Sequence, residues 1–163
     1  MEKKKLTDHT IFENILATGL IKGLHIAIPV NLAHQERRNL REISDCTFDS
    51  EVTLESYQAL GTVRFINCTF KENFSIGKST FPQQLIFNNC TMEKDCRLAN
   101  VDFQYCEFNG GNFQDVFFEG TMNKEEDLTS QLCFLSGKYK SVGAAACLPA
   151  FGWSGEINPM LIA

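Results

Sequence analysis

The chain has 163 residues, 44% of them hydrophobic, with 15 Lys+Arg against 20 Asp+Glu. That length suits one domain able to bury a core without metal or disulfide staples. The net charge of −5 argues against a binder of nucleic-acid backbone, which needs a surplus of Lys and Arg, so no nucleic acid is expected as partner.

The start Met1-Glu2-Lys3-Lys4-Lys5 has the charge of a secretory n-region. Asp8, His9, Glu13 and Asn14 then interrupt any apolar h-region, so no signal peptide is read. Thr10 with Glu13 forms a capping box ahead of the apolar Ile11, Phe12, Ile15 and Leu16, and Gly19 is a natural stop, which predicts a short helix. Next, Leu24, Ile26, Ile28, Val30 and Leu32 alternate like one strand, which Pro29 places at an edge. The polar stretch Glu36 to Glu42 reads as a linker, so residues 1–40 form an N-terminal cap.

From Arg41 to Cys106 the chain repeats every 11 residues. The third position of each unit is Ile43, Leu54, Phe65, Ile76, Phe87 and Leu98; the eighth is Phe48, Ala59, Phe70, Phe81, Met92 and Phe103. The sixth is Cys46, Tyr57, Cys68, Ser79, Cys90 and Val101. A longer period of 22 is visible in Asp45-Cys46-Thr47-Phe48, Asn67-Cys68-Thr69-Phe70 and Asn89-Cys90-Thr91-Met92. After Leu98 the spacing tightens to five: Phe103, Phe108, Phe113 and Phe118, preceded by Val101, Cys106, Gly111 and Val116.

A helix wants apolar residues three and four apart, and a flat strand wants every second one. A large residue every five, with a small one two before it, needs a chain that turns a corner each time. Four such sides make a square coil of 22 residues, and stacked coils bury their columns at the ~4.8 Å strand spacing. The alternation of five and six before Leu98 adds one residue at two of the four corners. Of the 14 Phe, 11 fall in 41–120, where each fully buried side chain contributes roughly 1.5–3 kcal/mol.

Beyond Phe118 the run Asn123 to Leu128 is acidic, and Thr129 to Tyr139 is read as a short helix or a last strand. Gly143 to Ala163, with Pro149, Trp153 and Pro159, has no period and is expected to be a cap over the last coil or a dimer contact. The apolar run Val142 to Phe151 is far short of the ~20 residues that span a bilayer, so no membrane partner is expected.

The segment Cys96 to Phe118 resembles the pentapeptide-repeat proteins, whose central residue is usually Leu or Phe and whose residue two before it is small. Phe65, Phe70, Phe103, Phe108 and Phe113 match the first position, and Val63, Cys68, Val101, Cys106 and Gly111 the second. The chain departs by its six-residue sides through 41–98 and by Ala59 in a place for a large side chain. The resemblance implies an all-β solenoid: a right-handed quadrilateral β-helix of about four coils, here with a short helical N-terminal cap and an irregular C-terminal cap.

Chemistry is sparsely signalled. The odd total of 7 cysteines, spaced for packing rather than pairing, fits reduced thiols and a cytoplasmic protein. Without a Cys-x-x-Cys pair, the column Cys46, Cys68, Cys90 is read as structural rather than zinc-binding. Cys133 and Cys147 lack a matched His or acid motif, and His9, His25 and His34 share no ligand spacing. One Thr column, Thr47, Thr69 and Thr91, falls short of an ice-binding array, because Gln58 and Asp102 break the facing column at Thr80. No catalytic, cofactor or metal residue is assigned.

The expected function is a non-enzymatic protein–protein interaction module, as in the scaffold or targeting segments of bacterial effectors that this fold resembles. Its partner is a protein, its candidate face comprises Arg64, Lys71, Glu72, Lys78, Glu93, Lys94, Asp95 and Arg97, and a homodimer through the C-terminal end is a further expectation. The resemblance also implies an alternative, an acidic DNA mimic acting on a type II topoisomerase. Residues 41–120 carry 12 Asp+Glu and 6 Lys+Arg. Four coils make ~20 Å, over which DNA shows roughly 12 charges, about twice that net charge.

Overall fold

The structure is a computed structural model that describes residues 2–32, 39–119, 131–145, 150–153 and 156–157. Its strands form two parallel ladders that wind into a solenoid of about five coils. The 22-residue period is the length of chain in one coil: Glu42, Arg64 and Ile86 are ladder neighbours, as are Thr47, Thr69 and Thr91, and Val52, Phe74 and Cys96.

Four sides follow in each coil that the described residues span completely. In the second full repeat they are Val63–Ile66, Thr69–Phe70, Phe74–Gly77 and the start of Thr80–Asn88. Burial alternates inside each, as in Phe74–Gly77, where Phe74 and Ile76 are buried and the residues between are half-buried. The inward positions are the ones the spacing marks, including Cys46, Cys68, Cys90, Cys96 and Cys106, all buried.

Corners come in two kinds. Where the spacing is five, one residue takes a left-handed conformation: Asp45, Asn67 and Asn89 between sides one and two, Ser56, Lys78 and Asn100 between sides three and four, all with φ of 48–55°. Asn and Asp tolerate this region best among residues with a side chain. They also link the coils, Asn67 Nδ2 donating to Asp45 Oδ1 at 3.2 Å and Asn89 Nδ2 to Asn67 Oδ1 at 2.9 Å. Where the spacing is six, the extra residue makes a wider corner without positive φ. Once the spacing falls to five throughout, Asp102–Asn109 and Asn112–Glu119 run through those corners as continuous strands.

The core consists of stacked aromatic columns. Phe65, Phe87, Phe108 and Phe134 stack at 5.0, 4.7 and 4.9 Å between centroids, and Phe48 on Phe70 at 5.0 Å, close to the strand spacing. Columns meet edge to face, as Phe65 does with Phe74 at 5.4 Å. Ala59 leaves room beneath Phe81 that Tyr57, two residues earlier, fills: its ring lies 6.2 Å from Phe81 and its hydroxyl accepts the Leu40 N–H at 2.9 Å.

Several expectations are corrected. The coils number about five because the ladders extend N-terminal to Arg41: Leu20–Lys22 pairs with Glu42–Ser44, Leu24–Ile26 with Thr47–Phe48, and Val30–Asn31 with Val52–Thr53, while Lys4–Leu6 pairs in turn with Leu24–Ile26. The apparent single strand from Leu24 to Leu32 is thus two sides with a corner at 27–29. The helix runs His9–Leu16, and its N-cap is Asp8, not Thr10; Asp8 Oδ1 accepts the Thr10 and Ile11 N–H groups at 2.8 and 3.1 Å. Phe12 and Leu16 are buried, but Ile11 is 47% exposed. Gly19 ends the helix with φ 77°, and a Cβ there would lie 2.2 Å from the Asn39 carbonyl oxygen. Residues 131–135 and 138–145 are strands that continue the ladders, and 150–153 and 156–157 pair onto them. The acidic run 123–128 lies outside the described residues.

Candidate functional site

Six of the eight candidate residues gather on one edge. Lys71, Glu72, Glu93, Lys94 and Asp95 occupy the wide corner between sides two and three in successive coils, and Arg97 stands on side three beside them. All are exposed except the half-buried Glu72. Arg64 projects from side one and Lys78 sits at the corner of sides three and four, so the structure separates these two from the rest.

The edge is built by the 22-residue register, which sets unlike charges one coil apart. Lys71 Nζ lies 2.8 Å from Asp49 Oδ1, Lys94 Nζ 2.6 Å from Glu72 Oε2, and Arg97 Nη1 3.1 Å from Glu119 Oε1. The Arg97 guanidinium also covers the Phe117 ring at 5.5 Å. Asp49 has a second neighbour, His25 Nε2 at 2.6 Å, so a His25–Asp49–Lys71 chain crosses three coils. Lys71 first, and then His25, hold the Asp49 carboxyl below its ordinary range, while the carboxylates of Asp49 and Glu72 raise Lys71 and Lys94 respectively. Exposed pairs of this kind add little to stability; they order long side chains.

A groove runs along this edge, lined by Glu51, Asn73 and Asp95 from one column and Thr53, Ser75 and Arg97 from the next. Asp49, Glu51, Asn73, Ser75 and Glu119 are absent from the candidate face read along the chain. The signal that finds them is the same period applied outward: Asp49 is 22 before Lys71, and Glu51 and Asn73 precede Asp95 in steps of 22.

The remaining reactive residues do not assemble. Contact with Cys68 and burial push the Cys46 thiol far above its usual range. A hydrogen bond with Cys46 pulls Cys68 down, but Cys90 and burial outweigh it and push Cys68 up to about 12. Among the described residues no group of three or more His, Cys, Asp or Glu could hold a metal ion. His9 opens the helix, exposed; Cys133 belongs to the strand Gln131–Leu135; His34 and Cys147 lie outside the described residues. The facing Thr column is broken as expected, with Gln58, Thr80 and Asp102 in register. Among the described residues no helix is long and apolar enough to cross a membrane.

Comparison with family models, with curated proteins and with solved structures yields no match.

Proposed function

We propose that the chain is a non-enzymatic protein-interaction module of the pentapeptide-repeat kind, working in the cytoplasm or as a secreted effector. Its contact face is the edge formed by Lys71, Glu72, Glu93, Lys94, Asp95 and Arg97. The observation that carries this reading is the alternation of charge along the edge, Asp49–Lys71–Glu93 in one column and Glu72–Lys94 in the next. Side chains held at coil spacing in a fixed order of signs give a partner a pattern to complement, which favours specificity and correct register.

The alternative, a DNA mimic directed at a type II topoisomerase, calls for an unbroken acidic stripe. Here Lys71, Lys94 and Arg97 each offset a carboxylate, which favours the interaction module. Self-association through the C-terminal end remains part of the proposal and is measurable by light scattering.

The test is an affinity pull-down from native lysate, with wild type beside the Glu72→Lys, Glu93→Lys, Asp95→Lys triple variant. A discrete partner lost from the variant supports the reading. The same partners from both baits remove the edge from it, and inhibition of gyrase supercoiling at micromolar protein would favour the mimic instead.

A further inference from the structure

The corner between sides four and one lies diagonally across the solenoid from the charged edge, and in the first full coil it departs from the repeat. Two positions before the central residue, Val63, Leu85 and Cys106 are buried, whereas the corresponding Arg41 is exposed. At the same corner Leu60 is 72% exposed, the most exposed of the large apolar side chains described. Between them is a depression of about 410 Å³ lined by Asn39, Leu40, Arg41, Leu60, Gly61 and Arg64. Its backbone is held firmly: Leu40 is tied to the Tyr57 hydroxyl, and Arg64 N–H donates to the Arg41 carbonyl at 2.9 Å.

The charges here behave unlike those of the opposite edge. Lys71, Lys94 and Arg97 each have a carboxylate within 3.1 Å. Among the described residues Arg41 and Arg64 have none, although Glu42 is the ladder neighbour of Arg64. The depression therefore offers two guanidiniums without a carboxylate partner beside an exposed Leu, and among the described residues no carboxylate lines it. Guanidinium pairs of this sort match carboxylates in bidentate geometry, and the apolar wall needs an apolar side chain to cover it.

We propose that the Arg41–Arg64 depression is a second docking site, and that it takes an acidic segment of a protein partner in which Asp or Glu flanks a Leu-like side chain. This rests on the chain being a protein-binding module. A peptide is favoured over nucleic acid because the net charge of −5 repels a polyanion whereas a short acidic segment meets only the local positive field.

A phage-displayed random heptapeptide library, panned on wild type, Arg41→Gln/Arg64→Gln and the edge triple variant, tests this. Both arginines are exposed, so the double variant is expected to fold, which its melting curve checks. The expected result is an acidic consensus containing Leu or Phe, present on wild type and on the edge variant, whose synthetic peptide loses about tenfold or more in Kd on the double arginine variant. That loss is the scale of one charge-assisted hydrogen bond. A consensus without acid, or one kept by the arginine variant and lost by the edge variant, overturns the site while leaving the interaction module standing. Failure to enrich any consensus overturns both. Arginine-dependent binding of a fluorescent oligonucleotide, without peptide enrichment, reassigns the depression to nucleic acid and overturns the proposal.

Discussion

Phe70 stacks on Phe48 and meets Phe65 and Phe74 edge-on at 6.1 and 4.9 Å, so its ring is gripped on several sides. Few side chains can collapse into the hole that its removal would leave. Phe70→Ala is expected to cost about 3–5 kcal/mol in guanidinium unfolding, and Phe103→Ala is expected in the same range. A loss below about 1 kcal/mol would mean that the stacked core is wrong. The cysteines make a second residue-scale test. Five are buried and free, and burial raises Cys96 as it does Cys46, though for Cys46 the contact with Cys68 ranks first. Ellman's reagent at pH 8 should therefore find at most two fast thiols in the native protein and all seven, the 7 of the sequence, after unfolding. Three or more fast thiols would contradict the inward column.

At the scale of the element, the corner carries the information. Asn89 combines a left-handed φ of 52° with the hydrogen bond to Asn67. Asn89→Ala should cost about 1–2 kcal/mol, and Asn89→Gly, which keeps the backbone conformation at no steric cost, should cost less. Equal losses would assign the effect to the side-chain ladder alone. The link between coils at His25, Asp49 and Lys71 has a pH signature. Asp49 titrates below its ordinary value, so its contribution is complete above the unfolded-state carboxylate range and fades as pH falls through the folded value. The stability gap between wild type and Asp49→Asn should hold from neutrality to about pH 5 and shrink below about pH 4. A gap that stays constant down to pH 2 would show that the ion pairs contribute nothing.

Much of this was legible in the chain. The 11- and 22-residue periods place the inward residues and the cysteine column, because identical side chains stack only if the coil length is constant. The first coil was hidden, since Ile26, Ile28, Val30 and Leu32 alternate across a corner in the same way that they would along a strand. The last coils were hidden by a change of step: Phe108 pairs with Phe134 and Phe113 with Tyr139, 26 residues on, which no repeat of 20 or 22 reveals. One partner in each of two surface ion pairs is missed for a related reason, whereas Glu72 and Lys94 both stand in the candidate face. Asp49 and Glu119 are unremarkable until the register sets them beside Lys71 and Arg97.

For the whole molecule, about five coils give a rod of ~24 Å with a helix and the strand Lys4–Leu6 at its N-terminal end. Parallel ladders run its length, so the order of side chains along each edge is set by register rather than by loops. The two opposite corners differ in kind: one carries charges of both signs, with Lys71 and Lys94 each paired to a carboxylate one coil away, the other is a small basic depression beside an exposed Leu. If both proposals hold, the two unlike edges are separate docking surfaces on one rod. The central claim is that the charged edge is where a partner sits. It is tested most directly by placing a photo-crosslinking amino acid at Glu93 or Asp95, with Asn88 on side one as the control, and irradiating in native lysate. The account predicts one discrete adduct from Glu93 and Asp95 that is missing from Asn88. Adducts of equal yield from all three positions, or from Asn88 alone, would contradict it.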